Sequence, residues 1–249
     1  MTNVTIDIGN TIISFCMFKK NKLLKHTKIS KNQLDLKILN FLKKSFFEDP
    51  KVKILISSVV PPIEKELKSF FKDNSIRFIF LKDLLNKIDI KTNIKNKKEI
   101  GDDRFTNIIY SKKIYKKSVI VIDFGTATTF DVLNRKGVYF GGIITPGIDL
   151  SLNVLKYKTS QLPLVKFKKT KKVVGFNTKQ AIESGFFWGY CSMIEGLIKK
   201  IEQEQKDVFK IILTGGNANY FKGIHKQVVL IDEFFTSKAL NYILNEYTE

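Results

Sequence analysis

Two segments of this chain, Val4–Phe18 (VTIDIGNTIISFCMF) and Val119–Leu133 (VIVIDFGTATTFDVL), carry nearly the same pattern. Each is an apolar, β-branched run ending in Asp-x-Gly, then small hydroxyl or amide residues, then a second run of the same kind. Such runs broken by a turn signal predict a strand, a tight turn and a returning strand. The repeat predicts two related halves, 1–116 and 117–249. Asp7 and Asp123 sit where the first strand of each copy runs out. Gly9 and Gly125 are read as turn positions with φ > 0 that let the backbone approach a ligand closely. The small side chains and free N–H groups that follow suit phosphate oxygens. Two carboxylates and two such hairpins facing one cleft would form a nucleotide and metal arrangement.

The rest of the chain reads as strands alternating with helices. Further strands are expected at 22–29, 52–60 and 76–80, then at 137–144 and 208–213. An amphipathic helix follows from Leu34, Ile38, Leu39, Leu42 and Phe46 at helical spacing. A second opens at Pro61-Pro62 and a third at Gly101-Asp102-Asp103-Arg104. Asn177-Thr178 is expected to cap a long helix over 179–206, and a terminal helix starts near Thr236. Meanders interleaved with helices, given twice, argue for an α/β fold with a mixed five-stranded sheet in each half.

With 249 residues, 43% of them hydrophobic, the chain can fill a substantial core. It has no apolar run of the ~18–20 residues needed to span a bilayer and opens directly into strand pattern, so a cytoplasmic protein without membrane contact is expected. Cys16, Cys191, His26 and His225 are its only cysteines and histidines, which argues against zinc sites and histidine triads. The net charge of +19 comes from 43 basic and 24 acidic residues. All the basic residues but Arg77, Arg104 and Arg135 are lysines, spread along the chain among abundant Ile, Asn and Phe. That spread reads as compositional bias rather than a nucleic-acid surface, although a positive field would still draw in anionic substrates. No G-x-x-x-x-G-K-[ST] string is present, so phosphate binding by that loop is excluded.

Asp-Ile-Gly-Asn-Thr at 7–11, Gly-Asp-Asp-Arg at 101–104, Asp-Phe-Gly-Thr-Ala-Thr at 123–128 and Gly-Gly-Ile-Ile-Thr-Pro-Gly at 141–147 together resemble the type III pantothenate kinases. Val59-Val60-Pro61, Asn177-Thr178, Ser184-Gly185 and Thr214-Gly215-Gly216 fall in that family's order. The resemblance implies the duplicated actin-like ATPase fold of the hexokinase and Hsp70 type. It also implies a homodimer, and ATP-dependent phosphorylation of pantothenate at the first step of coenzyme A synthesis. Mg²⁺ and a monovalent cation, K⁺ or NH₄⁺, are the implied ions.

Phosphoryl transfer is mostly positioning and charge stabilisation, so a phosphate cradle, a metal site, a base and a substrate clamp are sought. The cradle is expected over Asp7, Ile8, Gly9, Asn10, Thr11, Ile12, Ile13 and Ser14, with Asp7 on Mg²⁺ directly or through water. Thr126 is expected to face the ATP phosphates. By resemblance Asp123 holds the monovalent cation and Asp103 is the base. Gly101, Asp102, Asp103, Arg104 and Thr178 are the implied substrate contacts, Thr178 from a partner subunit or the cleft wall. Arg104 stands out in a lysine-rich chain because a planar fork binds a carboxylate bidentately. Gly185 and Gly189, four apart on one helix, suit a dimer contact. One departure is Ile94, where the family usually has a tyrosine, so a differently shaped substrate wall is expected. A different actin-like small-molecule kinase, or a non-catalytic regulatory relative, stays open as an alternative.

Overall fold

The structure is a computed structural model that describes residues 2–248. In chain order it contains β1 (Thr2–Ile8), β2 (Ile12–Lys19), β3 (Lys22–Ser30), α1 (Leu36–Phe46), β4 (Lys53–Ser58), α2 (Pro61–Asp73), β5 (Ile79–Phe80), α3 (Leu81–Leu84) and α4 (Asp102–Ile114). There follow β6 (Val119–Phe124), β7 (Ala127–Leu133), β8 (Tyr139–Pro146), α5 (Ile148–Tyr157), α6 (Thr178–Gln205), β9 (Lys210–Gly215), β10 (Val228–Ile231) and α7 (Phe235–Tyr247). Among the described residues no helix is long and apolar enough to cross a membrane.

The strands form two five-stranded sheets ordered β3-β2-β1-β4-β5 and β8-β7-β6-β9-β10. In each, an antiparallel meander of three strands is extended by two parallel strands beyond the first. The two orders coincide strand for strand, so the duplicated hairpin is the start of a duplicated fold.

Two compact units divide the chain, and they are not contiguous halves. The first draws on the described residues of Met1–Lys91, Lys95–Lys113 and Phe234–Glu249, the second on Thr92–Ile94 and Ile114–Glu233. What returns the chain to the first unit is α7. Its Phe235, Ala239, Leu240, Ile243 and Leu244 are fully buried. Asn3 on β1 donates to Asn241 and Asn245, both at 2.8 Å, and Asn241 donates to the Lys20 carbonyl at 2.9 Å. A helix so anchored outweighs its position at the chain's end.

In the first unit Val4, Ile6 and Ile8 point to one face of β1 and join Phe15, Leu39 and Leu42 in the core, while Asn3, Thr5 and Asp7 take the other face. Asp35 caps α1 by accepting from the Ile38 N–H at 2.8 Å. Strand β5 is shorter than the expected 76–80. Ser75, at φ 55°, ends α2 in a Schellman turn in which the Ile76 N–H reaches the Phe71 carbonyl at 2.8 Å. In the second unit Ile120, Ile122 and Phe124 of β6 pack with Phe130, Ile194 and Phe221. Edge strand β10, a four-residue run, has no counterpart in the sequence reading.

Gly147 shows how tightly the second hairpin is held. It caps α5, and its N–H donates to the Thr126 carbonyl at 3.0 Å. A Cβ there would lie 2.3 Å from the Thr126 oxygen and 2.4 Å from the Gly125 oxygen, both backbone atoms. Gly147→Ala is therefore expected to destabilise by about 1–3 kcal/mol, as other overpacking changes do. Gly196→Ala, on α6, where a Cβ meets nothing within 4 Å, is the control and should be neutral or slightly stabilising, since Ala suits a helix better by up to about 1 kcal/mol. Denaturant midpoints of the two variants decide it, and equal midpoints would contradict the packing argument.

Candidate active site

Asp7 lies at the C-terminal end of β1, opposite Ser14 on β2 and Ser57 on β4. The turn beyond it is closed by the Gly9 N–H on the Ile12 carbonyl at 3.0 Å. Asn10, Thr11 and Ile12 are exposed, whereas the Ile8 and Ile13 side chains are wholly buried in the first core. Only the backbone of those two can address a ligand. The expected positive φ at Gly9 and Gly125 is not found. Among the described residues the glycines with positive φ are Gly137, Gly141, Gly215 and Gly223. At Gly9 the need is close approach instead, since a Cβ would stand 3.1 Å from the Ile12 oxygen; at Gly125 the nearest atom is an ordinary 3.5 Å away.

Asp102 and Asp103 open α4, where acidic side chains meet the positive end of the helix dipole. Asp102 accepts from the Ser58 N–H at 3.3 Å, tying α4 to the end of β4. Asp103 accepts from the Arg104 N–H at 2.8 Å. Its carboxylate folds back over Gly101, where a Cβ would come within 2.8 Å of the Asp103 Oδ1. The glycine of Gly-x-Asp-Arg thus gives the carboxylate its place. Gly101, Asp102, Asp103 and Arg104 are all partly buried.

Asp7, Asp103 and Asp102 share one electrostatic neighbourhood within the first unit. Burial, then the charge of Asp103 and more weakly that of Asp102, pushes the Asp7 carboxyl from its ordinary 3.8 up to about 7, against the pull of the Ser57 hydroxyl. Burial also raises Asp102, opposed by the Ser58 N–H. Unfolded, Asp7 loses its proton near 3.8; folded, it keeps the proton to about 7. Between those values the folded state binds more protons, so its stability falls as pH rises through the window. Relative to Asp7→Asn, the metal-free protein is expected to lose on the order of 2–4 kcal/mol between pH 4 and 7. Denaturation of both proteins across that range measures this, and parallel profiles would contradict it.

Among the described residues no three His, Cys, Asp or Glu side chains gather as a protein-only metal site requires. One carboxylate in a crowd of negative charge is instead what a Mg²⁺ shared with substrate phosphates and water uses. The donor set at Asp7 fits that ion.

The second unit repeats the turn with different neighbours. Asp123 stands opposite Thr129 on β7 and Thr214 on β9. Gly125 and Thr126 are exposed at the tip, and the Gly125 N–H donates to the Ala127 carbonyl at 3.1 Å. Gly215, at φ 87°, lies against Asp123, so that a Cβ would come within 2.5 Å of the Asp123 Oδ1 and 2.6 Å of the Phe124 oxygen. A bare glycine leaves a carboxylate and a carbonyl oxygen side by side in a cradle that a side chain would fill. Those are donors for a hard monovalent cation.

Thr178 belongs to neither turn. Asn177 is the N-cap of α6, accepting from the Gln180 N–H at 2.9 Å, which leaves Thr178 exposed beside it. Thr178 rims an apolar groove of about 570 Å³ that runs along α6 past Gly185, Phe186, Gly189, Tyr190 and Met193. Ile94, at the departure from the family pattern, is partly buried, and its N–H donates to Thr92 Oγ1 at 3.0 Å. Ser57 and Ser58, which flank Asp7 and Asp102, are not among the residues that the sequence motifs single out. Hydroxyls at the exit of an otherwise apolar strand were the available signal.

The family model described as "Type III pantothenate kinase" matches residues 3–200. A type III pantothenate kinase of Pelagibacter ubique is 42% identical over 94% of this chain and 95% of its own length. One from Listeria monocytogenes serotype 4a is 33% identical over 96% and 95%. Among solved structures, the ethanolamine utilization protein EutJ of Carboxydothermus hydrogenoformans superposes with a TM-score of 0.55 at 11% identity, covering 97% of this chain and 89% of that one. At that identity the likeness shows the fold alone. With the duplicated sheet order it establishes a duplicated actin-like ATPase fold.

Proposed function

This chain belongs to the type III pantothenate kinase family, and from that premise we propose that Asp103 is the general base of its reaction and that Arg104 holds the substrate's carboxylate. The reaction is the phosphorylation of pantothenate by ATP in coenzyme A biosynthesis. The observation that carries the assignment of roles is the fixed placement of Asp103 over Gly101 at the head of α4, in the same charge neighbourhood as Asp7.

Pantothenate offers a primary hydroxyl and a carboxylate. Asp103 accepts the hydroxyl proton as that oxygen attacks the γ-phosphorus in line with the departing ADP oxygen. Arg104 pairs with the carboxylate and sets which hydroxyl faces the phosphate. Gly101 and Asp102 complete that wall. The N–H groups of Asn10 and Thr11 and the hydroxyl of Thr126 donate to phosphate oxygens. Asp7 would hold Mg²⁺, which when bound would offset the negative charge of the phosphates. Asp123 with the Phe124 carbonyl would hold the monovalent cation. The groove along α6, with Gly185 and Gly189 open to it, supports a homodimer in which Thr178 reaches pantothenate. The enzyme works in the cytoplasm.

Transfer of phosphate from ATP to pantothenate, measured in K⁺, NH₄⁺ and Na⁺ buffers, tests the reading. Turnover is expected in K⁺ and NH₄⁺ and a large loss in Na⁺. No product in any buffer would refute the roles given to Asp103 and Arg104, and equal rates in all three would refute only that of Asp123.

A further inference from the structure

Parallel pairing of β1 with β4 sets Ser57 directly opposite Asp7. Side chains in register on neighbouring strands project from the same face of a sheet. Ser57 is 1% exposed, and its hydroxyl has no hydrogen bond of ordinary geometry where it stands beside Asp7. The second unit repeats the arrangement. There β6 and β9 pair so that Thr214 stands opposite Asp123, and Thr214 is also 1% exposed with its hydroxyl unpartnered.

Leaving a buried hydroxyl unpaired costs about 1–3 kcal/mol, which alanine or valine would avoid. Two residues earlier, the same faces carry Leu55 and Ile212, opposite Thr5 and Val121. Each parallel strand therefore changes from aliphatic to hydroxyl where it meets the motif aspartate. Thr5, Ser111 and Thr128 are other buried hydroxyls without a partner, but none is paired with Asp7 or Asp123.

We propose that Ser57 is a positioning residue for phosphoryl transfer, its hydroxyl donating to the Asp7 carboxylate when that group faces a divalent cation and so fixing which oxygen meets the ion. Thr214 is its counterpart for Asp123. The proposal rests on the reading of Asp7 as the carboxylate of the phosphate and Mg²⁺ site. A hydrogen-bond partner behind a metal-binding carboxylate commonly changes metal affinity about 10–100-fold.

The test is Mn²⁺ binding, followed by electron paramagnetic resonance in the presence of a non-hydrolysable ATP analogue, on the wild type, Ser57→Ala and Ser57→Thr. Ser57→Ala is expected to bind Mn²⁺ about tenfold more weakly or worse, with its denaturation midpoint unchanged or raised. Its KM for pantothenate should stay within about twofold, because no substrate contact is lost. Ser57→Thr, which keeps the hydroxyl, should recover most of the affinity. Mn²⁺ affinity in Ser57→Ala within about twofold of wild type would overturn the proposal. So would a loss that tracks a fallen midpoint and is not rescued by threonine, or a wild type that binds no Mn²⁺. Should the alanine variant fail to fold, Ser57→Cys, of similar size but a weak donor, takes its place with the same expected loss, and wild-type affinity there overturns the idea equally. If the Mn²⁺ result holds while the wild type fails to phosphorylate pantothenate, the roles of Asp103 and Arg104 fall and the positioning role stands.

Discussion

Replacing Asp103 with asparagine should lower kcat by about 10²–10⁴-fold, the range over which a positioned general base acts. Asparagine keeps the size of the side chain and an oxygen for the Arg104 N–H, which Asp103 now receives at 2.8 Å. It cannot take a proton. The KM for pantothenate and the denaturation midpoint should therefore move little, and the loss should fall on kcat and kcat/KM together. Steady-state kinetics with a stability control separate this from a folding defect. Turnover at the wild-type rate would remove the base from the mechanism. Gly101→Ala should give a weaker version of the same loss, because its Cβ would stand within 2.8 Å of the Asp103 carboxylate and displace it.

Arg104→Lys should raise the pantothenate KM by about 10–100-fold with a smaller effect on kcat, since hydrogen bonds to a charged group contribute roughly 1.5–3 kcal/mol. Lysine keeps the charge but not the planar fork that pairs with both carboxylate oxygens. An analogue with a neutral amide in place of the carboxylate supplies the check. It should be a poor substrate for the wild type, and should lose little further in the variant, because the interaction is already absent. If the variant penalises both substrates equally, Arg104 acts on something other than the carboxylate.

The duplicated strand–turn–strand was legible because each copy is an apolar, β-branched run closed by Asp-x-Gly, and the structure turns both into the same sheet order. Local signals also placed Pro61 at the start of α2 and Asn177 as the cap of α6. What was not legible depends on long-range packing. Strand β10 is four residues at a sheet edge, too short to carry a pattern. The return of α7 to the first unit is decided by apolar burial and by Asn3 meeting Asn241 and Asn245. A positive φ was expected at Gly9 and Gly125, yet beside the motif aspartates it is Gly215, against Asp123, that has one.

The candidate site divided in the same way. Asp7, Asp103, Arg104 and Asp123 could be singled out by residue type and motif order. Their supports could not, because Ser57 meets Asp7, Ser58 meets Asp102 and Gly215 meets Asp123 only through strand pairing and helix placement. The Ser58 N–H holds Asp102, and phosphoryl transfer depends on such positioning as well as on side-chain identity.

Every role given to these residues depends on transfer of the ATP γ-phosphate to one hydroxyl of pantothenate. The most direct measurement is to incubate the wild-type protein with γ-labelled ATP, Mg²⁺, K⁺ and pantothenate, and to locate the label by phosphorus NMR. A phosphomonoester on the primary hydroxyl is expected, formed with one ADP per product and lost in Asp103→Asn. Label released as inorganic phosphate, or carried by the secondary hydroxyl, would contradict it.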